Sequence, residues 1–191
     1  MPDAIRVLTA LEPYDIAWAE DLLTGDHVPW NDVAGYREVT TATLVPTHTG
    51  EQLYLRQNFR ELIDQRAVRV IGPDPGDVGG LAELKWIAEY ADLYGVGIAP
   101  HGVSSGLLGL AALIQVSATL PDNLIAFEYP LAADPWWYEV VHGFDAPIVV
   151  DGHVRVGDAP GMGVELDRDA ARPHLEPGAE DFFDWNIKEN R

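Results

Sequence analysis

Five residues stand where a short apolar run gives way to polar sequence. Glu20 follows "DIAWA", Glu51 follows "LVPTHTG", Asp74 follows "VRVIGP", His101 follows "VGIAP" and Glu128 follows "NLIAF". Carboxylates and an imidazole are the side chains of hard-cation binding and of general acid–base chemistry. Taken singly, each has an ordinary reading. Glu20 or Glu51 alone is a solvated carboxylate at a loop. Asp74 opens a turn in "PDPGD", and a lone histidine commonly serves structure. Taken together they read differently. On adjacent strands, Glu20 and Glu51 would place two hard oxygen ligands on one rim, which suits Mg²⁺. Asp74 could hold one nitrogen of His101 and raise the basicity of the ring. Glu128 could donate or accept a hydrogen bond opposite that ring. His48, just before Glu51, could touch substrate or equally serve structure. Asp77, Gly79 and Gly80 read as turn chemistry that permits a close approach to the next helix or to a ligand.

The elements that would position these residues follow from spacing. "DAIRVLTALEPY" has helical periodicity with Ile5, Leu8 and Leu11 on one side, ended by Pro13. "WNDVAGYREVTTAT" is mostly helical. "LRQNFRELIDQRA" sets Leu55, Phe59 and Leu62 on one helical face. "GLAELKWIAEYADLYG" is a helix stopped at Gly95, and "SSGLLGLAALIQVSATL" is a buried helix with a serine cap. Between them lie the five apolar runs. Strand and helix thus alternate at intervals of roughly 25–30 residues, the length of a βαβ unit. Unbroken apolar strands predict a parallel sheet buried on both faces. In a (β/α)₈ barrel the C-terminal strand ends form one rim, where the active site lies. After Glu128 the pattern stops. "PIVVDGHVRV" predicts a hairpin turning at Asp151-Gly152, and a short helix and an acidic tail close the chain.

Composition narrows the function classes. The 191-residue chain carries a formal charge of −19, with lysine only at Lys85 and Lys188. Nucleic acid and anionic membrane surfaces would be repelled. No apolar run is long enough to cross a bilayer, and the first residues lack the pattern of a signal peptide. There is no cysteine, so disulfide and thiolate chemistry are excluded and a cytoplasmic setting is expected. The acid excess and scarce lysine also fit a high-salt environment.

The segments "WAED" (18–21), "TGEQLY" (49–54), "PDPGDVGGL" (73–81), "APHG" (99–102) and "EYP" (128–130) occur in one order, one per strand. In that order they resemble the enolase superfamily. The likeness is greatest to its mandelate racemase and muconate lactonizing branch, and there to the acid-sugar dehydratases of galactonate, gluconate and mannonate type. "DGHVRVGDAPGMGVELD" resembles the proline- and glycine-rich C-terminal segment of the same proteins. The resemblance implies a (β/α)₇β barrel, a TIM-like fold, capped by a separate α+β domain. It implies a Mg²⁺ ion on the substrate carboxylate and a base that removes the neighbouring proton to give an enediolate. Glu20 and Glu51 match the second and third metal ligands of the family. Asp74 and His101 match its Asp–His dyad, with His101 as base or as acid toward a departing hydroxyl. Glu128 matches the last-strand acid that binds the substrate carboxylate or enediolate.

By the same resemblance the chain begins in the helix before the fourth strand. The capping domain, the first three strands, a lysine motif and the first metal ligand fall outside it. Leu22 stands where many relatives have proline. The expectation is therefore an α/β fold comprising the C-terminal part of the barrel, with five parallel strands and intervening helices over 1–130. An extension with a hairpin and acidic tail follows over 131–191. Two carboxylates are too few for tight Mg²⁺ binding, and Asp21 is the nearest candidate for a third. The expected activity is dehydration of sugar acids. A racemase or epimerase is the alternative on the same scaffold, and a non-catalytic barrel fragment is a third. The isolated chain is expected to be inactive and to need the missing N-terminal half or a second copy.

Overall fold

The computed structural model describes residues 1–23, 25–102, 106–131 and 134–184. Helix α1 (Pro2–Leu11) begins on Pro2, where the absent N–H has no helical partner to lose, and it buries Leu8. A single 3₁₀ turn at Glu12–Tyr14 follows it. Strand β1 (Ala19–Glu20) leads to α2 (Val33–Thr41), whose cap is Asp32 accepting from the Gly35 N–H at 3.1 Å. Strand β2 (Thr47–Thr49), α3 (Gln57–Asp64), β3 (Val70–Ile71), α4 (Leu81–Leu93) and β4 (Gly97–Ile98) complete the alternation. Helix α4 stops as its sequence predicts. Gly95 adopts φ 66° with open space around it, so backbone conformation rather than room calls for glycine there. Helix α5 (Gly106–Ser117) is next, and the serine cap expected for it lies outside the described residues.

The four strands form one parallel sheet in the order β1-β2-β3-β4. Its register aligns Glu20 with His48, Thr49 with Ile71 and Ile71 with Ile98. Strands β2 and β3 are buried at every residue, as a sheet covered on both faces requires. Phe59, Leu62 and Ile63 from α3 and Leu84, Ile87 and Ala91 from α4 are buried against it.

The expected fifth strand needs correction. Among the described residues the segment forms one parallel bridge, Ile98 to Leu124. Ile98 donates to Asn123 O and accepts from the Ile125 N–H, each at 2.9 Å. The next donor on β4's side would be Pro100, which has no N–H. The next bond then skips a residue, with Glu128 rather than Phe127 donating to Pro100 O at 3.1 Å. One extra residue enters the segment, as in a bulge, and the ladder ends. The pairing is otherwise in the expected place. Among the described residues, β1 pairs only with β2, and the Leu124 segment only with β4. Both edges of the sheet are therefore open.

Beyond Glu128 the chain builds on the outer face of α5. Helix α6 (Trp137–Val140) leads into β5 (Val141–His142), which pairs antiparallel with β8 (Glu165–Leu166), an element pair the sequence pattern did not announce. The expected hairpin is present as β6 (Val149–Val150) and β7 (His153–Val154). Asp151 and Gly152 lie at φ 51° and 75°, the left-handed pair such a tight turn demands. The predicted last helix is α7 (Arg168–Ala171), capped by Asp167. Leu107, Leu110 and Ile114 pack on this extension while Leu113 and Val116 face the main core. Helix α5 thus contributes to both hydrophobic clusters. The acidic part of the tail is described as far as Asp184, with 3₁₀ turns at Arg172–His174 and Phe182–Asp184 and an Arg172–Asp184 ion pair at 2.6 Å, and residues 185–191 lie outside the described residues. Among the described residues, no helix is long and apolar enough to cross a membrane.

With 31 acidic residues against 12 Lys and Arg, self-repulsion opposes the compact state. Raising salt from physiological strength to 1 M shortens the Debye length from about 8 Å to about 3 Å. The melting temperature is expected to climb over that range. Thermal melts in a KCl series check this, and a flat series would remove the high-salt reading of the composition.

Candidate active site

Each strand of the sheet ends at the same rim. Asp74 lies beyond β3, fully buried at the start of a turn in which the Asp77 and Val78 N–H groups donate to its carbonyl. Its Oδ1 accepts from the Gly76 N–H at 2.6 Å. Its Oδ2 accepts from His101 Nδ1 at 2.7 Å. One side chain therefore both shapes the turn and hydrogen-bonds the His101 ring. A carboxylate only accepts, so the proton sits on Nδ1 and the other nitrogen is turned to the rim. There Nε2 lies 3.4 Å from Glu51 Oε2 and 3.5 Å from Glu128 Oε2. The Glu128 oxygen is buried and has no aligned partner among the described residues. Burial pushes the Glu128 carboxyl upward, and the nearby Glu20 and Glu51 charges add to that, against the pull of His101.

The hydrogen bond to Asp74 is the largest influence on His101. With the Glu51 and Glu128 charges it outweighs desolvation and raises the ring from 6.5 to about 9. Because the folded value lies above the unfolded one, this stabilisation is complete below about pH 6.5 and is lost as pH rises through 9. The protonated ring is the state that delivers a proton. The neutral ring that takes one is populated above that range, or when Glu51 and Glu128 are engaged elsewhere. In the metal-free chain, the His101 ring resonances in ¹⁵N NMR are expected to titrate near pH 9. A midpoint at or below 6.5 would show that Asp74 does not hold the ring.

On the neighbouring strand ends, Glu20 Oε1 lies 2.9 Å from His48 Nδ1, and Trp18 Nε1 donates to Glu20 Oε2 at 3.5 Å. The His48 ring favours the ionised Glu20 and holds its carboxyl below the usual range despite partial burial. His48 is not where a substrate contact was expected. It is 1% exposed, its Nε2 lies 3.1 Å from Ala99 O, and Trp18 stacks on it at 5.6 Å. It stands beneath the rim rather than on it. Asp21, the candidate for a third metal carboxylate, is turned away. At φ 44° it accepts from Thr49 Oγ1 at 2.7 Å, tying the ends of β1 and β2 together. Trp18, Thr49 and the backbone turn at Asp21 were missed from sequence. The one available signal was the position of Trp18 and Asp21 on either side of Glu20.

The donor set fits a hard cation in kind. Glu20 and Glu51 offer carboxylate oxygens on adjacent strand ends, and Glu128 Oε2 is a buried oxygen without an aligned partner among the described residues. In number it falls short, since no group of three or more candidate ligands among the described residues has the geometry to hold a metal ion.

Residues 1–170 match the enolase C-terminal domain-like family. The D-xylonate dehydratase of Haloferax volcanii is 37% identical over 181 residues, covering 95% of this chain and 42% of that protein. The D-galactonate dehydratase of Xanthomonas oryzae pv. oryzae is 30% identical over 189 residues, covering 96% and 46%. Among solved structures, a mandelate racemase/muconate lactonizing enzyme-like protein from Rubrobacter xylanophilus superposes with a TM-score of 0.82. Its identity is 35%, with 93% of this chain and 43% of that one covered. The chain spans less than half the length of these relatives.

Proposed function

Because the chain belongs to the enolase C-terminal domain-like family, we propose that it carries the acid–base half of a Mg²⁺-dependent sugar-acid dehydratase site. One observation supports this most. A buried Asp74 holds His101 at 2.7 Å while Glu51 and Glu128 converge on the other ring nitrogen at 3.4 and 3.5 Å. The named dehydratase relatives support the choice of reaction, which is that of a lyase.

The substrate is a sugar acid with a proton on the carbon next to the carboxylate and a hydroxyl on the following carbon. Dehydration breaks that C–H bond and the C–O bond of the hydroxyl, and the enol formed becomes a 2-keto-3-deoxy acid. His101 exchanges the proton at Nε2, as the base toward carbon or as the acid toward the departing hydroxyl. Asp74 keeps the ring oriented and fixes its tautomer. Glu128, with a carboxyl raised by burial, is suited to hydrogen-bond the substrate carboxylate. Glu20 and Glu51 would hold Mg²⁺, which when bound supplies positive charge against that carboxylate. The cytoplasmic setting expected from the cysteine-free sequence belongs to the same reading.

The site needs groups this chain does not contribute, so the isolated chain is expected to leave sugar acids unchanged. Co-expression with the N-terminal portion of the D-xylonate dehydratase relative should restore 2-keto-3-deoxy acid formation from one or more of a panel of sugar acids. Turnover by the chain alone would overturn the incomplete-site reading. A stable complex of the two portions that processes no sugar acid would overturn the dehydratase reading.

A further inference from the structure

We propose that His48 is a positioning residue that holds Glu20 in place from beneath the rim and links it to the strand carrying His101. The inference rests on reading Glu20 as a metal ligand. Three observations carry it. First, the ring is 1% exposed on a strand buried at every residue, so its environment is fixed by the protein. Second, its two nitrogens face different strands. Nε2 lies 3.1 Å from Ala99 O, and an N–H there donates to that carbonyl. Nδ1 lies 2.9 Å from Glu20 Oε1, a little off the N–H direction, and has no other partner among the described residues. Third, the ring crosses over β3 to reach β4, and it can do so only because residue 72 is glycine. A Cβ there would stand 2.3 Å from both Cε1 and Nε2.

The consequence is mechanical. Glu20 ends an edge strand two residues long, with no neighbour on its outer side among the described residues. Its carboxylate would swing freely about its side-chain bonds without a lateral hold. His48 supplies that hold on Oε1, and the Trp18 N–H, stacked above the same imidazole, supplies a weaker one on Oε2. Outer groups that orient a ligand typically change metal affinity by about 10–100-fold when removed. Ala99 lies two residues before His101, so the same ring also sets the separation of the metal-binding and proton-transfer sides.

Two measurements on the full chain test this. In metal-free protein, ¹H–¹⁵N spectra of the His48 ring are recorded for wild type and Glu20→Gln. The Nδ1 resonance is expected to move and the Nε2 resonance, facing Ala99, to stay. In parallel, Mn²⁺ binding by the full chain complemented with the N-terminal portion of the dehydratase relative is followed by electron paramagnetic resonance for wild type, His48→Phe, Glu20→Gln and the double variant. His48→Phe should weaken binding about 10–100-fold and add no further loss in the Glu20→Gln background. An Nδ1 resonance indifferent to Glu20→Gln overturns the proposal, as does a folded His48→Phe that binds Mn²⁺ like wild type. Should His48→Phe fail to fold, the ring resonances decide. Wild-type protein that binds no Mn²⁺ while Nδ1 still responds to Glu20→Gln would refute the metal reading and leave the contact standing.

Discussion

In the chain complemented by an N-terminal portion, His101→Asn is expected to abolish sugar-acid dehydration while leaving Mn²⁺ binding intact. Asparagine can still hydrogen-bond to Asp74, so the turn and the strand end should keep their shape. It cannot exchange a proton near neutral pH. A positioned acid or base contributes about 10²–10⁴-fold in rate, and at least that loss in kcat is expected. Asp74→Asn should also be severe for a different reason. Its amide can present an N–H to Nδ1 and favour the tautomer with the proton on Nε2, the wrong one for a base at the rim. In that variant the His101 ring should titrate well below 9, because the hydrogen bond from Nδ1 to Asp74 is its largest upward influence. Activity of His101→Asn within tenfold of the complemented wild type would remove His101 from the proton-transfer role.

Much of this site could be read before the fold was known, for a physical reason. Strands buried on both faces are mostly apolar, so a polar residue after an apolar run marks a strand end, and Glu20, Asp74 and His101 announce themselves by contrast; Glu51 does so less, because β2 before it is the buried Thr47-His48-Thr49. The fifth strand was less legible. Its ladder fails because Pro100 on the neighbouring strand lacks a donor, and that matters only once the register to Leu124 and Glu128 is known. His48 was legible as a residue but not in its role. The "THT" of β2 gives no alternation to say which way the ring points, and all three residues are buried. Asp21 reads as the second acid of a pair, and nothing local reveals that its left-handed backbone turns the carboxylate onto Thr49. In the extension, β5 and β8 are two residues each and more than twenty apart. Pairing of that kind leaves no periodic trace in the sequence.

Gly72→Ala is expected to be the most damaging single-methyl addition to this sheet. The backbone at residue 72 is not in the left-handed region, so the cost is one of space. The new Cβ would sit 2.3 Å from two atoms of the His48 ring and 2.9 Å from Ala99 O. Neither neighbour has room to retreat, at 1% and 3% exposure. Overpacking of this kind costs about 1–3 kcal/mol, occasionally more. If the ring is driven off Ala99, a buried polar group loses its partner at a further cost of about 1–3 kcal/mol. The sum of about 2–6 kcal/mol is a large part of the margin of a typical domain. Urea unfolding of Gly72→Ala against wild type measures it. His48→Ala in the same background distinguishes the cause, because removing the ring removes the two 2.3 Å contacts and leaves only the 2.9 Å approach to Ala99 O. The double variant should then be nearly as stable as His48→Ala alone, a coupling that unrelated sites do not show. A Gly72→Ala protein within about 0.5 kcal/mol of wild type, the range of an ordinary surface change, would mean that the ring has another place to go. The bridge from Glu20 to Ala99 would then not be the fixed element that the geometry makes it.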